Sequence, residues 1–359
     1  MTAPLHRRTG FEIELMAPPG LSRLSLAREL ADRHGGRVHP VWHHDSEPSL
    51  VPGLGRFLHL TQGFEVRRDD GRLLCTLVDD VTLLAGLDPR TPPAPGWFRV
   101  LTDDPRLLRL LALHSDPGGT IGAALDATAQ LWAAKVDRHG GIYQLADATG
   151  ATIALAAPQG GERERPCEIV TPPLSTGHGD ALEELLGPAR ELGFAVPREA
   201  AVHLHVDGAP FREAHALANV VRLFAWWREP LRAMLQTNPA CRRLAPLPEP
   251  LVRAVDGNPS YEQLCEAAEL GGLTKFFDVN LTQLLTATPL RDTVEIRILP
   301  GAITSEEIVH RAALVELLLE RCLDAEPFPA APPHIDAAVN QLLHLAAQAL
   351  ARRAPLPTH

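Results

Sequence analysis

Ala201-Val202-His203-Leu204-His205-Val206-Asp207 alternates apolar and polar residues with a period of two. Successive side chains of a β-strand point to opposite faces, so the pattern predicts a strand with His203, His205 and Asp207 on one face and apolar residues on the other. The same period recurs near the start, in Gly10-Phe11-Glu12-Ile13-Glu14-Leu15, and late, in Thr293-Val294-Glu295-Ile296-Arg297-Ile298. Three strands far apart in sequence therefore each carry ionisable residues on a single face.

Outward from these strands, Pro18, Pro19 and Gly20 turn the chain, and Leu21, Leu24, Ala27 and Leu30 follow at helical spacing up to Gly35-Gly36. Residues 37–102 read as short strands, including Arg56–Arg68 and Leu73–Leu84 around Asp69-Asp70-Gly71. A short helix is predicted at Asp104–Leu113. Strands follow near Ala129–Val136, Ile142–Ala146, Ile153–Ala157 and Glu168–Val170. Asp180 can cap a helix running towards Gly193, and a long helix from about Arg212 is expected to break near Pro230. Beyond a Pro-rich loop at Asn238–Pro250 come a helix around Tyr261–Glu269 and a strand at Phe276–Asn280. Thr304 and Glu307 have capping-box spacing before a helix at Ile308–Leu323, and a last helix spans Ile335–Arg352. Strands and helices do not alternate, and no GxGxxG leads from a strand into a helix. Both facts argue against a doubly wound nucleotide fold and for α+β with a mainly antiparallel sheet.

Composition narrows the function. The chain has 359 residues, 45% of them hydrophobic and 22% charged, as expected of a globular protein rather than a disordered or collagenous one. Thirty-four Lys and Arg against 44 Asp and Glu leave a net charge of -10, the wrong sign for a general nucleic-acid binder. The five cysteines are never spaced as CxxC, which predicts a reducing compartment and no zinc or redox motif. Arg7-Arg8 suggests a twin-arginine signal, but Glu12 and Glu14 fall where such a signal needs an apolar core. No apolar run approaches the roughly 20 residues that span a bilayer. A cytoplasmic protein without nucleic-acid or membrane partners is predicted.

Glu12 and Glu14 sit roughly 7 Å apart on one strand face. Two such carboxylates suit either a solvated face or a divalent cation that screens their repulsion. Neutral imidazoles at His203 and His205 can ligate a metal, protonated ones can bind phosphate, and an exposed polar face would look the same. Glu295 beside Arg297 is either a structural ion pair or a metal ligand next to a phosphate clamp. Glu168, in Cys167-Glu168-Ile169-Val170-Thr171-Pro172-Pro173-Leu174, places a carboxylate at a strand end that halts at two prolines.

In this order, an acidic ExE strand, an E-I-V-x-P-P-L segment, an H-x-H strand and a T-x-E-x-R strand resemble the amidoligase family. That family lies within the glutamine synthetase and glutamate–cysteine ligase superfamily of carboxylate–amine ligases. The resemblance runs from about Gly10 to Ile308 and is most specific at Glu168–Leu174, His203–Asp207, Lys275–Leu281 and Thr293–Ile298. It implies a glutamine synthetase-like curved antiparallel sheet with helices packed on one side. It implies a catalytic domain over residues 1–325, followed over 326–359 by a proline-rich linker and a C-terminal helix packed on the same domain. It further implies ATP with Mg2+ or Mn2+, and small-molecule or peptide carboxylate and amine substrates.

By the same resemblance Glu12, Glu14, Glu168, His203 and Glu295 are metal ligands, and His205 and Arg297 contact the nucleotide phosphates. Arg297, Glu168 and His205 are the catalytic set, while Asn280 and Lys275 line the nucleotide site. Lys275 stands where an arginine is commoner. Arg242 and Arg243 are candidates for the substrate carboxylate. Asp45, Glu65, Asp79 and Asp80 are candidates for the amine, or else turn and surface charges. The implied reaction joins a carboxylate to an amine through an acyl phosphate. Two other readings are a metal-dependent hydrolase using the HxH pair and a non-catalytic binding protein that keeps the fold.

Overall fold

A computed structural model of the chain describes residues 4–51, 55–286 and 292–353, and for residues 45–47 and 50 the backbone alone. Asp45 thus lies outside the residues whose side chains are described. The described residues form twelve β-strands and eleven α-helices, and ten ladders between the strands are antiparallel. The fold is α+β. No helix among the described residues is long and apolar enough to cross a membrane. The chain divides into two compact units: a middle unit of residues 14–172 and 187–198, and a flanking unit of residues 1–13, 173–186 and 199–359.

Strand β1 (Thr9–Met16) gives its last residues to the middle unit, where Met16 exchanges main-chain hydrogen bonds with Ala195. Helix α1 (Arg23–Arg33) begins at Ser22, whose hydroxyl accepts the Ser25 N–H while the Ser25 hydroxyl accepts the Ser22 N–H. This reciprocal cap satisfies two donors that the first turn leaves open. The unit's other strands are β2 (Arg37–Val51), β3 (Gly55–Arg67), β4 (Leu73–Val78), β5 (Phe98–Thr102), β6 (Val136–His139), β7 (Ile142–Ala146), β8 (Thr152–Pro158) and β9 (Pro166–Val170). They lie in the order β9-β4-β3-β5-β8-β7-β6, with β2 also pairing β3.

Helices α2 (Pro105–His114) and α3 (Asp126–Leu131) contribute Leu108, Leu111 and Ala129 to a core with Leu60, Phe98, Val100 and Leu145. The strand expected at Ala129–Val136 is therefore displaced: its first residues are helical and the strand starts at Val136. A short apolar run has no period of its own, and burial of Thr128 and Ala129 against this core selects the helix. The Arg23 guanidinium is fully buried and donates to the carbonyls of Gln62 at 3.0 Å and Arg163 at 2.6 Å, and it lies 4.4 Å from the Trp97 ring centroid. Asp79 is not a surface charge: it is fully buried, paired with Arg163, and accepts from Gln159 at 3.0 Å.

Helix α4 (His178–Glu191) carries Asp180 in its first turn rather than at the cap. In the flanking unit β10 (Ala201–Asp207) leads to α5 (Ala214–Trp226) and α6 (Arg228–Leu235). The helix breaks near Pro230 as expected, at Trp227, and Pro230 falls in the first turn of α6, where no intrahelical N–H is required. The buried Trp227 indole donates to Pro329 O at 2.7 Å and meets Phe328 edge-on at 6.0 Å. Next come α7 (Glu249–Ala254), α8 (Tyr261–Leu270), β11 (Val279–Asn280), α9 (Thr282–Leu285), β12 (Thr293–Pro300), α10 (Ser305–Cys322) and α11 (Ile335–Arg352). The strand expected over Phe276–Asn280 shrinks to two residues, since Phe277 instead bridges in parallel to Ala245. Thr304 occupies the N-cap of α10 without a side-chain capping bond. The unit's strand order is β11-β12-β10-β1. Phe11 on its apolar face meets His178 edge-on at 6.2 Å, and Phe11, Ile13, Val202, Leu204 and Ile296 are all buried.

Gly36, between α1 and β2, shows how closely the middle unit is packed: a Cβ there would collide with the main-chain oxygen of Arg67. Gly36→Ala should lower stability by about 1–3 kcal/mol, the usual cost of overpacking, read as a lower urea midpoint at constant slope. Gly257→Ala, with nothing within 4 Å of its added Cβ, should stay within about 0.5 kcal/mol of the native chain.

Candidate active site

Pairing register in the flanking unit brings six residues to one face. Glu12 of β1 lies opposite His203 of β10, His205 lies opposite Glu295 of β12, and Glu295 lies opposite Asn280 of β11. Directly opposed residues of antiparallel strands share a face, and so do residues two apart on one strand. His205 therefore follows His203, and Arg297 follows Glu295. Between the pairs Val202–Leu299 and Leu204–Ile296, His203 alone faces both Arg297 and Ile298. Such a bulge bends the strand and re-aims its side chains.

The resulting contacts are close. His203 Nδ1 lies 3.1 Å from Glu12 Oε2 and 3.8 Å from Glu295 Oε1, while His205 Nε2 lies 3.0 Å from Glu12 Oε1. Each Glu12 oxygen thus meets its own imidazole. Arg297 donates to Glu295 Oε1, and Asn280 Nδ2 donates to Glu295 Oε2 at 2.7 Å. His203, Asn280, Glu295 and Arg297 are all buried.

Burial by itself would raise the Glu12 carboxyl. The charge of His205 and the hydrogen bonds from His203 and His205 outweigh it and hold that carboxyl well below the ordinary value of 4.5. Burial and the charge of Glu12 oppose ionisation of Glu295, but Arg297 and the two imidazoles prevail, and its carboxyl also lies low. Both carboxylates are therefore ionised at neutral pH.

Glu12, His205 and Glu295 each offer a ligand atom within 4.8 Å of the others. Two ionised carboxylates and an imidazole at that spacing form a donor set that fits a divalent cation. Arg297 adds a fixed positive charge beside it, suited to an oxyanion.

Glu14 is buried on the part of β1 that belongs to the middle unit, and Glu168 lies in β9 of the same unit, opposite Val78. Glu65 pairs with Arg67 at 2.6 Å, and Asp80 accepts from the N–H and hydroxyl of Thr82, both at 2.7 Å. These contacts are local, as in turns and strand edges. Lys275 is exposed, its ammonium 5.7 Å from the centroid of Phe276, and the Arg243 guanidinium lies 5.2 Å from the same ring. Arg242 is exposed. A cavity of about 810 Å³, lined among others by Arg212, Tyr261, Cys265 and Thr282, includes none of the six residues on the strand face. One neighbour of that face has no place among the sequence expectations: Thr282, which donates to Asn280 Oδ1. Its only sequence signal is the Asn-x-Thr spacing, which is common to many turns.

A carboxyl whose folded pKa lies below its unfolded one stabilises the fold fully above the unfolded range and loses that contribution as pH falls through the folded value. In metal-free protein, Glu12→Gln should therefore cost stability near neutral pH, and the difference from the native chain should shrink below the ordinary carboxyl value of 4.5. Urea unfolding at about pH 6 and about pH 3 measures both ends of that dependence.

A family model described as "Putative amidoligase enzyme" matches residues 5–319. No curated protein and no solved structure matches the chain. The matched span covers most of the sequence and contains all six residues of the strand face. The chain belongs to the amidoligase family.

Proposed function

We propose that the protein is an ATP-dependent carboxylate–amine ligase. It would form an amide or isopeptide bond on an amino acid or small peptide, with Mg2+ or Mn2+, on a glutamine synthetase-like curved sheet. The observation that carries this reading is the convergence of Glu12, His203, His205, Glu295 and Arg297 on one strand face, in a chain of the amidoligase family. A carboxylate resists attack by an amine because its leaving group would be oxide. Transfer of the γ-phosphoryl group of ATP to that carboxylate releases ADP and gives an acyl phosphate, from which the amine displaces phosphate.

The residues suit these tasks. Glu12 and Glu295 stay ionised at neutral pH and, with His203 and His205, would hold the divalent cation. A bound cation of this kind neutralises polyphosphate charge and favours in-line transfer. His205 and Arg297 would face the phosphates. Pairing with Glu295 fixes the Arg297 guanidinium in place, so its charge need not be reoriented as the phosphoryl group moves.

Full-length protein incubated with ATP and a panel of amino-acid and peptide carboxylates and amines should release ADP only when Mg2+ or Mn2+ is present. Glu295→Ala should lower kcat/KM by about 10³-fold or more, roughly 4 kcal/mol of transition-state stabilisation. Zinc-dependent turnover without ATP would instead favour a hydrolase. Absence of ATP and Mn2+ binding in calorimetry would favour a binding protein.

A further inference from the structure

Asn280 is 6% exposed and has both ends of its amide engaged. Its Nδ2 donates to Glu295 Oε2 at 2.7 Å. Its Oδ1 accepts from the Thr282 N–H at 3.0 Å and from the Thr282 hydroxyl at 2.6 Å. A main-chain N–H can only donate, so the end of the amide facing Thr282 must be the oxygen. The NH2 end is thereby committed to Glu295. Turned by half a rotation, the same amide would set its oxygen against the Glu295 carboxylate and face its NH2 to the Thr282 N–H, losing both contacts. An aspartate at this position would accept from Thr282 equally well but would repel Glu295. A side-chain amide accepts at one end and donates at the other.

We propose that Thr282 is a positioning residue for Glu295, acting through Asn280. Its two donors hold the Asn280 amide in one orientation, and Asn280 in turn fixes Glu295 Oε2. Arg297 holds Oε1 from the opposite side, on the side where His203 lies 3.8 Å away. The Glu295 carboxylate is thus set from both ends before any ligand arrives. This inference rests on reading Glu295 as a cation ligand. It adds a residue outside the ligand set whose loss should loosen that ligand without disturbing the core, since Thr282 is itself only half-buried.

Mn2+ alone is the probe, titrated into full-length protein and followed by its electron paramagnetic resonance signal. Thr282→Val removes the hydroxyl at nearly constant volume, keeps the main-chain N–H, and should weaken Mn2+ binding about fivefold, less than the roughly tenfold or more expected on losing a partner bonded directly to a metal ligand. Thr282→Ser should stay within about twofold of the native chain, a rescue that packing alone does not explain. Unchanged urea midpoints in both variants exclude a general loss of structure. A second readout needs no metal: the Asn280 side-chain NH2 resonances, assigned by their loss in Asn280→Ala, should be slow to exchange in the native chain and in Thr282→Ser. They should exchange rapidly in Thr282→Val. Native Mn2+ affinity in Thr282→Val overturns the proposal. Should the native chain bind no Mn2+, the cation reading of Glu295 fails on its own account. The amide resonances then decide the positioning role, protection retained in Thr282→Val overturning it. If Thr282→Val does not fold, Thr282→Ala takes its place under the same criteria.

Discussion

Two carboxylates on neighbouring strands of one sheet, the half-buried Glu12 and the buried Glu295, are the constraint that the rest of the flanking unit satisfies. Glu12 and Glu295 repel each other, and burial penalises the charge on both. Four neighbours offset this: His203 and His205 at the two oxygens of Glu12, and Arg297 and Asn280 at the two oxygens of Glu295. Every one of the four reaches its carboxylate from an opposed strand or from two residues along the same one. The geometry therefore follows from pairing register, and a slip of one residue would turn β10's imidazoles to the apolar side.

The second recurring device is arginine bound to main-chain carbonyls. Nearly all of the 34 basic residues are arginines, a bias that composition alone does not interpret. Several of them are buried and donate to main-chain carbonyls, and two of these also pair with acids, Arg165 with Glu162 and Arg321 with Asp324. Arg23 donates to Gln62 O and Arg163 O, Arg165 to Ala17 O and Gly86 O, Arg222 to Val255 O and Gly257 O, and Arg321 to Glu326 O and Pro327 O. A loop that turns inward leaves carbonyls without partners, and a guanidinium offers five donors in a fixed plane. The chain has 33 prolines, each lacking an N–H, so it contains many loops that cannot pair their own carbonyls. Arginine is the side chain best able to gather them.

A related arrangement joins the ends of the described chain within the flanking unit. The Glu316 carboxylate, 1% exposed, accepts from the N–H groups of His6 and Arg7 and pairs with Arg353. His6 and Arg7 lead directly into β1, so the strand carrying Glu12 is anchored at its start by a buried acid on α10. Arg353 also pairs with Glu320 at 2.8 Å, one turn further along that helix. Removal of Glu316 would leave two main-chain N–H groups without their acceptor and the Arg353 guanidinium with Glu320 as its remaining acid, so its contribution reaches beyond a single ion pair.

The sequence by itself determined the strands that matter. The period-two patterns at Gly10–Leu15, Ala201–Asp207 and Thr293–Ile298 place Glu12, His203, His205, Glu295 and Arg297 on polar faces, and the order of these motifs indicates the family. It determined less where the local signal was weak, as in the helix at Asp126–Leu131. Tertiary structure alone decided which polar faces meet. Glu12 and His203 are 191 residues apart, and nothing local to either strand fixes their register. It also decided which charges are buried: Asp79 shares the local appearance of Asp80, yet one is enclosed with Arg163 and the other closes a turn on Thr82. The reason is physical. Alternation of side chains is a property of a few consecutive residues, whereas strand register and burial depend on chain segments that no short window contains.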